Sequence, residues 1–127
     1  MQYDDMIEAV RTEAGLDDDE HAEKALRTTV AVLGQRLSGN APGNVRAQLP
    51  AQLQTELPTT GAGEPLDAQQ FIERVAEREA LGCSDELVLD HTRAALRVIF
   101  SAEAAGSERD NVAAQLPQDL RALLGAA

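Results

Sequence analysis

The sequence predicts an all-α fold: a compact helical bundle of two tandem repeats, about four helices each, related by a pseudo-twofold. Three observations lead there. The chain is written twice: Ala47-Gln48-Leu49-Pro50 returns as Ala114-Gln115-Leu116-Pro117, and Ile7-Glu8-Ala9-Val10 is matched by Ile72-Glu73-Arg74-Val75. Arg27 pairs with Arg93, Val32 with Val98, Leu53 with Leu120 and Leu57 with Leu124, the self-similarity expected of a repeated helical unit. Apolar residues recur at three- and four-residue spacing along most of the chain, and Gly, Pro or capping residues separate the runs.

The elements follow in order. Tyr3, Met6, Ile7, Val10 and Ala14 share one face of a first helix, which Gly15 ends. Asp17 with Glu20 reads as a capping box for a second helix, and the acidic run Asp17-Asp18-Asp19-Glu20 suits its positive end. Ala22, Leu26, Val30, Leu33 and Leu37 form its buried face, and Ser38-Gly39 stop it. Asn40 caps a short third helix with Pro42 in its first turn, and Pro50 opens a fourth carrying Leu53 and Leu57. Residues 58–65, with Pro and Gly and no large apolar side chain, are a linker between repeat one (3–57) and repeat two (67–124) of a single domain, 1–127. In the second repeat Asp67 with Gln70 caps a helix burying Phe71, Ile72 and Val75. Ser84 caps the next, with Leu87, Val88, Ala95, Leu96, Ile99 and Phe100 inside; Ser107 with Asp110 starts a third; Pro117 opens a fourth with Leu120, Leu123 and Leu124. The offset between copies drifts from 65 to 67, with extra residues near Gly82-Cys83 and near the end of the long second-copy helix, both at helix boundaries.

Composition narrows the function. The net charge is -11 and the isoelectric point about 4.4, which argues against nucleic acid as a partner and against anionic membrane surfaces. With two Phe, one Tyr and no Trp the core must be aliphatic. Cys83 is the single cysteine, so no intrachain disulfide forms and a reducing cytoplasm is the expected location. The acidic N-terminal residues predict no signal peptide, and no apolar run approaches the ~18 residues of a membrane span.

The inventory of chemistry-bearing residues is short. His21 and His91 are the only imidazoles and are not repeat equivalents: His91 aligns with Ala25, and His21 with Leu87. His91 reads as a partly buried structural histidine, and His21 as part of a solvated acidic helix start. Cys83 precedes a helix N-terminus, which can lower a thiol's pKa, but no His–Cys pairing follows from the spacing. Arg27 and Arg93 are a matched pair that frames an anion site or, more simply, pairs within each helix with Glu23 and Asp90. Gln48 and Gln115 sit beside the prolines that break each third helix, where an amide can satisfy a freed carbonyl. There is no phosphate-cradling glycine motif, no calcium loop and no zinc pattern of Cys and His, so neither a metal nor a cofactor is expected.

The opening Tyr3-Asp4-Asp5-Met6-Ile7-Glu8-Ala9-Val10, the segment Leu33-Gly34-Gln35-Arg36-Leu37-Ser38-Gly39, both Ala-Gln-Leu-Pro tetrads and Phe71-Ile72-Glu73-Arg74-Val75-Ala76 resemble the prokaryotic domain of unknown function 2267 family over nearly the whole chain. The resemblance implies a small, duplicated, all-helical protein and carries no catalytic residues onto this sequence. Copy two departs at residues 101–105, where the Leu-Gly-x-Arg-Leu pattern of copy one is lost.

The expectation is therefore a non-enzymatic cytoplasmic protein that binds another, basic, protein, with a homodimer left open. A small-molecule or anion binder built on Arg27 and Arg93, with Gln48 and Gln115, is the second reading. An enzyme using His91 or Cys83 is the third.

Overall fold

The structure, a computed structural model, describes residues 1–80 and 82–124; residues 125–127 of the predicted domain lie outside them. Among the described residues it is mostly helical, with eight α-helices and one two-stranded sheet. Helix α1 (Tyr3–Ala14) ends as the sequence demands: Gly15 adopts φ 66°, and the amides of Gly15 and Leu16 donate to the carbonyls of Thr12 and Arg11. Helix α2 (Asp19–Arg36) starts one residue later than predicted. Asp18, not Asp17, is the cap, accepting from the His21 amide at 2.7 Å.

The predicted linker is not a free tether. Ser38–Gly39 (β1) pairs antiparallel with Gly61–Ala62 (β2), Ser38 opposite Ala62. A Cβ on Gly61 would overlap the Leu37 carbonyl and the Pro42 ring, so glycine is required for the close approach. Between the strands lie α3 (Ala41–Ala47) and α4 (Ala51–Gln54). Asn40 precedes α3 without a side-chain cap. Asp67 and Gln70 form the predicted capping box of α5 (Ala68–Glu79), and Ser84 caps α6 (Asp85–Ile99) by accepting from the Leu87 amide. A 3₁₀ turn (Gly106–Glu108) covers the predicted Ser107 start, and α7 (Arg109–Ala113) and α8 (Gln118–Leu123) follow.

Helix α2 packs against α1, α5 and α6, while α1 and α5 both pack against α6 and α8 touches α5 and α6. One aliphatic cluster runs through these helices, from Met6, Val10 and Leu26 to Phe71, Leu96, Ile99 and Leu120. Leu87, expected inside, is 42% exposed. It lies in the first turn of α6, where the next residue, Val88, is the one that turns into the core. Beside three buried threonines, two core positions carry ionisable side chains that an aliphatic core does not predict: Glu79 and His91, 1% and 0% exposed.

Candidate metal centre

Glu79 is buried by periodicity. Phe71, Val75 and Glu79 follow one another at four-residue spacing on α5, and all three are buried, so the carboxylate continues the apolar stripe of the helix. His91 occupies the buried face of α6 with Val88, Thr92 and Ala95. Helix α5 stops at Ala80, which takes a left-handed φ of 53°, and Gly82 is left-handed at φ 68°. These two turns swing Cys83 back toward the helix ends. His21 enters from the first turn of α2, its backbone fixed by the Asp18 cap.

The four side chains meet. Their ligating atoms all lie within 4.8 Å of one another. Glu79 Oε1 is 3.4 Å from His91 Nδ1 and 3.6 Å from His21 Nε2, and Cys83 Sγ is 3.9 Å from His21 Nε2. The imidazoles stand edge to face, centroids 4.6 Å apart and planes at 86°. The carboxylate–imidazole separations exceed the ~2.7–2.9 Å of charge-assisted hydrogen bonds. Neither Glu79 oxygen and neither His91 nitrogen has a hydrogen-bond partner. Buried polar atoms are seldom left this way, because each forfeits its hydration without replacement.

The spacing fits a common centre. Bond lengths of ~2.0–2.3 Å in a tetrahedral zinc site give ligand–ligand edges of roughly 3.4 Å for N–O and 3.6 Å for N–S, close to three of the six separations, 3.4, 3.6 and 3.9 Å; the other three, within 4.8 Å, would shorten to tetrahedral edges on binding. The charges fit as well. Burial lowers the His91 pKa below its ordinary value, against the opposing pull of the Glu79 carboxylate, so the imidazole is neutral, as a ligand must be. A bound metal would require one carboxylate, one thiolate and two neutral imidazoles, a set with two negative charges that a divalent cation cancels. Two imidazoles with a thiolate match a zinc-class ion better than magnesium or calcium, which take oxygen ligands.

On one side the centre is open. A cavity of about 380 Å³ is lined by Asp18, Glu20, His21, Lys24 and Cys83, while Glu79 and His91 lie sealed behind. A wider cavity of about 730 Å³ lies along the end of α2 and residues 58–65; of its polar side chains, Gln35 and Glu64 are engaged by Arg74 and Glu56 by Arg27.

The other predicted site residues are dispersed. Arg27 is held in a brace: its Nε donates to Tyr3 Oη at 2.7 Å, its Nη1 reaches Glu56 at 3.1 Å, and the Tyr3 hydroxyl donates to Glu23. Burial, then the hydrogen bond to Glu23, pushes the Tyr3 pKa up to about 12. Arg93 is exposed on α6 and lines a surface hollow with Glu13, Asp90 and Arg97, none of which is a partner of Arg27. Gln48 is exposed at the end of α3, whereas Gln115 crosses to β1, accepting from the Ser38 amide at 2.9 Å and donating to the Ser38 carbonyl at 3.3 Å. The role foreseen for Gln48 falls to Gln54, whose amide donates to the carbonyls of Arg46 and Leu49.

A profile of DUF2267, described as "Uncharacterized conserved protein", matches residues 3–123. The chain belongs to the DUF2267 family. No curated protein matches it. His21, Cys83 and His91 of this DUF2267 chain were legible as candidates, but Glu79 was not, and the His21–Cys83 pairing that the spacing did not suggest is present at 3.9 Å, because the donors come from three segments with these two 62 positions apart. One signal was present: a glutamate at the third position of the Phe71, Val75 stripe.

Proposed function

We propose that this protein binds one zinc-class divalent ion through His21, Glu79, Cys83 and His91, and that the ion staples the start of α2 to the end of α5 and to α6. The observation that carries this reading is a fully buried carboxylate without hydrogen bonds, 3.4 and 3.6 Å from two imidazoles. Four protein donors are characteristic of a structural site rather than of a catalytic one with an open position. The thiolate requires a reducing compartment, in keeping with a cytoplasmic location. No helix among the described residues is long and apolar enough to cross a membrane.

The same reading takes residues 3–57 and 67–124 as two copies paired about a pseudo-twofold in one domain. Three of the four donors then have repeat counterparts: Ala14 for Glu79, Ala25 for His91 and Leu87 for His21. Cys83 falls on one of the inserted residues. All three counterparts are apolar, so the ligating set departs from the repeated frame as a group.

Cobalt(II) titration tests the site. A thiolate-to-cobalt charge-transfer band saturating at one equivalent, lost in Cys83→Ser and displaced by zinc, supports it. Absence of stoichiometric binding in the reduced protein refutes it. A second reading, capture of a basic protein partner, is favoured by the net charge of -11 and predicts binding that weakens steeply with salt.

A further inference from the structure

We infer that Cys83 is a site of oxidation by small hydroperoxides and that its oxidation opens the metal centre. The inference rests on the metal reading above and extends it to regulation of the same site. Access is one-sided. Glu79 and His91 are 1% and 0% exposed, whereas Cys83 and His21 line the cavity of about 380 Å³. A reagent entering there meets the sulfur before the sealed ligands. The metal keeps the sulfur as a thiolate, the nucleophilic form.

The cavity also selects the reagent. Asp18 and Glu20 line it and repel anionic oxidants, while a neutral peroxide enters freely. Lys24, on the same helical face as His21, supplies an ammonium to the cavity, where it stabilises charge developing on a departing oxygen. The step balances. The sulfur attacks one peroxide oxygen, an S–O bond forms and the O–O bond breaks. Hydroxide leaves and takes a proton to become water. Sulfur is oxidised by two electrons and the peroxide is reduced by two. The metal–sulfur bond is given up because a sulfenic acid is a far weaker ligand than a thiolate.

Cys83 is the only cysteine, so no resolving thiol exists within the chain. The sulfenic acid is reduced by an external low-molecular-weight thiol. One thiol condenses with it, releasing water and forming a mixed disulfide, and a second regenerates the Cys83 thiol. His21, Glu79 and His91 remain as three ligands after oxidation. Loss of the thiolate, one ligand in four, weakens binding enough for a competing chelator to take the ion.

The test uses the full chain loaded with zinc, exposed to hydrogen peroxide beside a chromogenic zinc chelator, with intact mass recorded in parallel. Zinc released in step with the addition of one oxygen at Cys83, and rebound after dithiothreitol, is the expected result. Zinc retained with Cys83 unmodified overturns the inference and leaves the metal reading intact. Zinc released by peroxide while the intact mass shows no oxygen added at Cys83 also overturns it, since release then does not pass through the sulfur. Failure of the untreated protein to load one zinc overturns the metal reading itself.

Discussion

Replacing Glu79 with leucine should change stability in opposite directions with and without metal. Glu79 is 1% exposed, its two oxygens have no hydrogen-bond partner, and the neighbouring His91 is neutral by burial. In chelator the buried carboxyl group faces the two imidazoles at 3.4 and 3.6 Å, longer than a charge-assisted hydrogen bond, so its burial is weakly offset. Leucine, of similar volume and on the same face as Phe71 and Val75, removes that cost, and replacements of buried charged groups by apolar ones stabilise by roughly 1–4 kcal/mol. With an unfolding entropy of about 2.1 cal/mol/K per residue, 1 kcal/mol moves the melting temperature of this chain by roughly 4 °C. Glu79→Leu should thus melt about 4–15 °C above the wild type in chelator. Zinc at a hundred times its dissociation constant adds about 2.7 kcal/mol to the wild type, roughly 10 °C, and much less to the variant. Differential scanning calorimetry in chelator and in zinc reads both arms. A variant destabilised by about 3 kcal/mol or more in chelator, beside a wild type indifferent to zinc, would show that the carboxylate is a structural partner of the two histidines, and the metal reading would fall.

Other perturbations probe the scaffold. Arg27→Gln breaks the brace to Tyr3 and Glu56 and should cost about 1–2 kcal/mol in urea unfolding, with cobalt binding unchanged. Gln115→Ala leaves the Ser38 amide and carbonyl without their partner and should cost about 1–3 kcal/mol, whereas Gln48→Ala, on the surface, should stay within about 0.5 kcal/mol; equal effects would mean that the amide bridge does not form. Tyr3 has a folded-state pKa raised from 10.0 to about 12, so the folded state holds its proton more tightly. Its contribution is complete below about pH 10 and is lost as pH rises toward 12, on the order of 2 kcal/mol. Tyr3→Phe should lack that extra alkaline slope, and identical slopes would refute the assignment. Gly61→Ala would drive a methyl into the Leu37 carbonyl and the Pro42 ring, and should destabilise by about 2 kcal/mol or more, visible as a lowered urea midpoint at unchanged m-value.

The helices were legible because local rules and tertiary packing agree. Gly15 supplies the left-handed cap that α1 needs, Asp67 and Gln70 close a capping box, and Ser84 caps α6. One disagreement is local: Asp18 displaces Asp17 as the cap by bonding the His21 amide three residues on. The others arose where a long-range contact decides. The linker becomes a strand because Gly61 lets the backbone lie against Leu37 and Pro42. The centre was illegible for the same reason, since its donors converge only when α2, the α5–α6 connection and α6 have packed. Glu79 is the exception. An acid at a position that periodicity assigns to the core is a conflict between local chemistry and global fold, and such conflicts concentrate where a site is built. Under the metal reading proposed above, the cost of burying Glu79 is offset by a cation shared with His21, Cys83 and His91, and the carboxylate–imidazole contacts at 3.4 and 3.6 Å are the apo form of that same cluster.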